Sequence, residues 1–141
     1  MAVHQAVILL IPSCFIDSAS FSVEQLFDGE GYNDSSLAWH NHVNVKDVTA
    51  SIDKYFERSN SWDEEIMVWG KESESDITLI YQGSRVTDLI VRVDRSTILE
   101  SWIERTNQLA ADLSCSLFIP KNKVILEPNS NGLLKAISEY S

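Results

Sequence analysis

Asp76-Ile77-Thr78-Leu79-Ile80-Tyr81-Gln82, then Gly83-Ser84, then Val86-Thr87-Asp88-Leu89-Ile90-Val91-Arg92-Val93-Asp94 reads as strand, tight turn, strand. In the second strand Leu89, Val91 and Val93 point one way, while Asp88, Ile90, Arg92 and Asp94 point the other. Such alternation predicts an antiparallel hairpin with one buried face and one mostly solvated face. A helix should follow directly. Its apolar positions Ile98, Leu99, Trp102, Ile103, Thr106, Leu109, Ala110 and Leu113 recur at three and four residues, and Ser96 can cap it. Glu100 is not three residues into that helix, so a reciprocal capping box is not expected. A sheet face and a helix stripe, adjacent in the chain and both apolar, are expected to bury each other.

Working outward from this unit, Trp62 to Gly70 reads as a preceding strand, joined through the polar loop Lys71 to Ser75. Residues 62–94 then form an antiparallel meander. Upstream, Asn44 is a candidate N-cap with Asp47 three residues on. Val45, Val48, Ile52, Tyr55 and Phe56 make a helical stripe that should end near Ser59-Asn60. Leu37 to Val43 reads as a strand. Residues 13–38 are rich in Ser, Asp, Gly and Asn, and Phe21, Val23, Leu26 and Phe27 fit either one helical turn or an extended lid. Ala6 to Ile11 is a continuous apolar run stopped by Pro12, as an interior strand would be. Downstream, Ser116 to Ile119 and Val124 to Glu127 read as a hairpin turned by Pro120 to Lys123 (hairpin 116–127). Asn129 or Ser130 can cap a last helix through Leu133, Leu134, Ile137 and Tyr140. The expectation is one α+β domain over residues 1–141: a mostly antiparallel sheet packed on one face by helices.

The balance of charge narrows the function classes. The chain carries 21 acidic and 11 basic residues, a formal charge of −10, which opposes non-specific binding to nucleic acid or to anionic membranes. Residues 1–75 hold 13 acids and 4 bases, against 8 acids and 7 bases in residues 76–141, so the acidic field belongs to the first half. A basic protein partner is compatible with it. No run approaches the ~20 apolar residues of a membrane span. Ile11-Pro12-Ser13-Cys14 loosely resembles a lipoprotein cleavage site, but no Lys or Arg precedes it and the apolar run is short, so it reads as a strand. Cys14 and Cys115 lack C-x-x-C spacing and are expected to be free thiols in the cytoplasm.

Chemical motifs are sparse. His40-Asn41-His42 puts two imidazoles on one face of a strand, ligand-like geometry for which no third or fourth ligand stands at helpful spacing. Asp88, Arg92 and Asp94 can hold an anion through the Arg fork or stitch neighbouring strands with ion pairs. Asp63-Glu64-Glu65 and the cluster from Glu72 to Asp76 lack the periodicity of a calcium loop. There is no nucleophile elbow, phosphate-cradling glycine loop or zinc-protease motif, and no cofactor is expected. Trp69 and Trp102 fall at core positions, whereas Trp39 and Trp62 lie beside acidic segments, where aromatics often anchor protein interfaces.

Trp69-Gly70, the strand Asp76-Ile77-Thr78-Leu79, Val91-Arg92-Val93-Asp94 ahead of the long helix, and Glu127-Pro128 ahead of a final helix from Leu133 to Tyr140 form a pattern. It resembles small acidic bacterial immunity proteins, which neutralise a partner toxin. The resemblance covers roughly the second half of the chain and carries over no individual binding residue. It implies a cytoplasmic, non-enzymatic domain that blocks a usually basic toxin. The leading expectation is therefore an inhibitor-like module binding a basic partner through Asp28, Glu30, Asp34, Trp39, Trp62, Asp63, Glu64 and Glu65. A small hydrolase or ligand-binding enzyme using His40, His42 or Arg92 is the alternative, and a homo-oligomer with an apolar self-interface is a third.

Overall fold

The computed structural model describes residues 5–39, 44–59, 64–71, 74–96 and 100–140. The central hairpin forms as its alternation demands. Strands β4 (Asp76–Gln82) and β5 (Arg85–Asp94) pair antiparallel from Asp76↔Arg92 to Gln82↔Arg85, around Gly83 with φ +61°. The register slips between Ile80, opposite Asp88, and Tyr81, opposite Val86. Thr87 is thus a one-residue bulge, and its hydroxyl donates to the Ile80 carbonyl at 3.1 Å. This bulge lets Val86 and Leu89, an odd number of residues apart, both enter the core.

Strand β1 (Gln5–Pro12) lies between β5 and β6 (Cys115–Ile119), antiparallel to both, with Gln5↔Asp94 on one side and Pro12↔Cys115 on the other. Its unbroken apolar run suits an interior strand covered on both faces. Strand β3 (Ile66–Gly70) pairs with β4, and β7 (Val124–Leu126) with β6. A two-residue strand β2 (Arg58–Ser59), which hydropathy does not foretell, completes the order β2-β3-β4-β5-β1-β6-β7, all antiparallel. The α+β sheet expected from the sequence is the one observed.

One face carries the three longer helices. Helix α2 (Val45–Asp53) starts where Asn44 Oδ1 accepts the Lys46 amide at 2.8 Å; α3 runs Glu100–Asp112; α4 (Ser130–Ser138) starts where Asn129 Oδ1 accepts the Gly132 amide at 3.0 Å. Helix α2 ends well before Ser59, because the chain turns there into β2. Ser96 hydrogen-bonds to Asp94 Oδ1 through both its amide and its hydroxyl. Val48, Ile52, Trp102, Ile103, Leu109 and Ile137 from these helices pack on Ile8, Leu79, Leu89 and Val91 of the sheet. Phe56 meets Trp102 edge-on at 4.6 Å, under the Arg105 guanidinium. Burial pushes the Cys115 thiol up to about 12, a protonated and unreactive group.

The opposite face departs from the expected solvated surface. Leu9, Ile11 and Phe118 on it are buried, covered by residues 13–39. This cover contains α1 (Ser13–Ile16), a 3-10 turn at Val23–Leu26 closed by a capping box between Ser22 and Gln25, and the buried Leu26 and Ala38. Phe27 stacks edge-on against Phe118 at 5.9 Å. Helices therefore dominate one face, and irregular chain supplies a second, smaller core on the other. The strand expected at Leu37 to Val43 is a turn over its first three residues, with the Ala38 and Trp39 amides both donating to the Ser35 carbonyl. Residues 40–43 lie outside the described residues.

Gly70 fixes the end of β3. It holds φ +84°, and a Cβ there would sit 2.5 Å from the Ser75 carbonyl oxygen and 2.9 Å from the Trp102 ring. Gly83 shares the left-handed backbone but has open space where its Cβ would stand. Gly83→Ala should cost about 1 kcal/mol of unfolding free energy from backbone strain alone. Gly70→Ala should cost roughly 3 kcal/mol or more, because strain and overpacking add. Urea denaturation of the two variants checks the difference.

Candidate functional site

Residues 27–37 form an ordered acidic loop. An antiparallel bridge between Phe27 and Asn33 closes it, and Gly31 at φ +88° turns it. Asp28 Oδ1 accepts the amides of Glu30 and Tyr32 at 2.9 and 3.0 Å. Asp34 Oδ1 accepts the Ser36 hydroxyl at 2.6 Å and its amide at 3.0 Å, and these bonds hold the Asp34 carboxyl below its ordinary range. Asp28 and Asp34 therefore build the loop as well as charging it. Asp28, Glu30 and Asp34 are all exposed. Between them Tyr32 stands 70% exposed, with Leu37 beyond at 56%.

The loop is anchored to the sheet through Ser35. This buried hydroxyl is 2.7 Å from Asp88 Oδ1 and 3.1 Å from the Thr87 carbonyl, donating at the bulge. Burial raises the Asp88 carboxyl above its ordinary value; hydrogen bonds from Ser35 and Thr87 oppose the rise, and Asp34 adds to it. Across the sheet, Asp88 faces Ile80, and the next residue, Tyr81, donates its amide to the Glu65 carbonyl at 3.0 Å and its hydroxyl to the Glu64 carbonyl. Glu64 and Glu65 thus enter at the same end of the sheet as the acidic loop, two strand spacings or roughly 10 Å from β5.

The fold gathers Asp28, Glu30 and Asp34 in one loop and brings Glu64 and Glu65 to its end of the sheet. Trp39 does not join them. It is 1% exposed, part of the helix-side core, so an interface anchor at that position is corrected to a core residue. The reason is the turn from Ser35, whose carbonyl accepts the Ala38 and Trp39 amides and carries the chain inward. Trp62, Asp63, His40 and His42 lie outside the described residues. Tyr32 and Leu37 were not apparent as contact residues in the sequence. The available signal was an aromatic flanked by Gly31 and by acids, with no apolar period to bury it.

Beside this loop, on the same face of the sheet, lies a cavity of about 680 Å³. Val7, Leu9, Ile80 and Ile90 form an apolar floor, with Asp88 and Arg92 at its polar margins. Phe27, Asn33, Pro120, Lys121 and Tyr140 wall it. Arg92 Nη1 donates to Asp76 Oδ1 at 3.1 Å and to Thr78 Oγ1 at 3.0 Å, so the cross-strand ion pair is the role found for it. Asp76 is fully buried, which makes this pair part of the fold. Among the described residues, no three His, Cys, Asp or Glu side chains gather as a metal centre, and no helix is long and apolar enough to cross a membrane. Comparison with protein-family models, with curated proteins and with solved structures gives no match.

The raised Asp88 carboxyl has a consequence for stability. Its protonated form is favoured by folding, so its contribution is fully present below the ordinary value of 3.8 and is lost as pH rises through the higher folded value. Asp88→Asn keeps an acceptor for Ser35 and removes the titration. The variant should melt above the parent at pH 7, and that advantage should vanish below about pH 3.8. Thermal melts at a series of pH values check the sign.

Proposed function

We propose that this chain is a non-enzymatic interaction module that binds a basic protein partner through the acidic loop 27–37 and the adjoining Glu64 and Glu65. The observation that carries the reading is the coincidence of exposed apolar and acidic groups. Of the three large hydrophobic side chains that stand exposed among the described residues, Tyr32 and Leu37 lie in the loop that bears Asp28, Glu30 and Asp34. An aromatic ring rimmed by charge has the anatomy of an interface hot spot. The surrounding carboxylates would steer a cationic partner, and the desolvated ring would slow its release. Such a module is of the immunity or inhibitor type, with a basic toxin as its partner. Cys14 and Cys115 are thiols, not halves of a disulfide, which suits the reducing cytoplasm.

The loop's internal hydrogen bonds decide which variants test this. Asp28 and Asp34 hold backbone amides, so the charge reversal uses Glu30→Lys with Glu64→Lys. For a basic partner isolated with the parent protein, this pair should lower the association rate roughly threefold to tenfold at low salt and flatten its salt dependence. Tyr32→Ala should instead speed dissociation, by about tenfold or more. Surface-based kinetics separate the two effects. A partner whose rates are untouched by all three changes binds elsewhere, and the assignment of this surface fails.

A further inference from the structure

The cavity on the loop-bearing face has a charge that the rest of the molecule does not lead one to expect. In a chain of formal charge −10, Arg92 and Lys121 both line it, and Arg95 shares the ring of another lining residue, Tyr140, with Lys121. The Lys121 ammonium lies 4.7 Å from the centre of the Tyr140 ring, and the Arg95 guanidinium 5.3 Å from the same ring. Arg92 lines the same cavity as Lys121. Its bonds to Asp76 and Thr78 both leave from Nη1, and a guanidinium has five N–H donors. Among the described residues Nη2 and Nε make no hydrogen bond. Asp94 Oδ1, on the same strand face, already accepts two hydrogen bonds from Ser96. Like charges gathered at one ring repel each other, and an anion seated among them would relieve that repulsion.

The remainder of the cavity is graded from polar to apolar. Moving along β5 from Arg92, the floor becomes Ile90 with Val7, Leu9 and Ile80 around it. Asp88 stands at the far end, four residues or about 13 Å along β5 from Arg92, and Asn33 is also part of the lining. A volume of about 680 Å³ is within the range of small-molecule sites. We propose that this cavity binds a small amphipathic monoanion, an organic carboxylate whose head meets Arg92 and Lys121 and whose apolar body lies over Ile90 and Leu9. Asp88 at the far end selects against a second carboxylate on the tail. The cavity shares Phe27 and Asn33 with the loop proposed above as a protein-contact surface, but its ligand and its test do not depend on that reading.

Sodium decanoate, kept below its micellar concentration, is the probe. Decylamine and disodium decanedioate test the sign and number of charges. With Ile, Leu and Val methyls labelled for NMR, decanoate should produce saturable shifts at Val7, Leu9, Ile80 and Ile90. Decylamine and decanedioate should bind at least several-fold more weakly. Lys121→Glu, at an exposed turn, should weaken decanoate roughly threefold to tenfold, and Ile90→Trp should fill the floor and abolish its shifts. Arg92 is left intact because it balances the buried Asp76. The proposal is overturned if decanoate gives no saturable shift at these methyls, or if its shifts fall on the helix side of the sheet. It is equally overturned if decylamine binds as tightly as decanoate, or if Lys121→Glu leaves the affinity unchanged in a protein whose spectrum shows it folded.

Discussion

Everything in this molecule hangs on the pairing of β1 between β5 and β6. Without it the meander from β3 to β5 and the hairpin of β6 and β7 share no strand pairing among the described residues. With it they become one sheet in which β1, an interior strand, is apolar on both faces. Ile8 and Leu10 enter the core beneath the helices, and Leu9 and Ile11 enter the smaller core beneath residues 13–39. A strand that is apolar on both faces must be covered on both. That requirement explains why a segment rich in Ser, Asp and Gly nevertheless folds into an ordered cover and places its acids where they are.

Polar groups on that cover act as ties. Ser35 links the loop to Asp88 at the bulge, and Asp28 and Asp34 close its turns with their own side chains. On the other side of the sheet, the Trp69 indole donates to Asp53 at 2.8 Å, and Asp53 pairs with Arg58 at 2.7 Å, joining α2 to the edge of the sheet. Buried ion pairs are weak stabilisers in themselves. Asp76 with Arg92 does something else: it fixes the register of β4 against β5, since these two residues are direct partners across the ladder. The same pairing sets Arg92 at the margin of the cavity.

The features that could be read from the sequence are those with a local cause. The alternation in β5, the helical stripe from Trp102 to Leu113, the apolar run of β1 and the caps at Asn44 and Asn129 each need only a few neighbouring residues to recognise. Features with a distant cause were hidden. Polar Asp88 and Arg92 suggested a wet face, yet Phe15, Phe21, Leu26 and Phe27 arrive from elsewhere in the chain without any period to announce them. Trp39 looked like a surface aromatic because it follows an acidic loop, and only the turn at Ser35 shows that it goes inward. The acids of the loop were identified by composition; Tyr32 and Leu37 emerged only once burial had claimed the other apolar side chains. The cavity draws on five separate parts of the chain, so no single stretch encodes it.

The position of β1 also bears on how the chain is made. Gln5 finds its partner in Asp94 and Pro12 in Cys115, so the ribosome releases this run of Ala, Val, Ile and Leu long before anything can pair with it. Contacts so remote in sequence form late, and an unpaired apolar strand is the kind of segment that aggregates or engages a chaperone in the interval. The finished sheet guards its borders with strands of only two and three residues. Its vulnerable period is therefore synthesis, when this interior strand still lacks both of its neighbours.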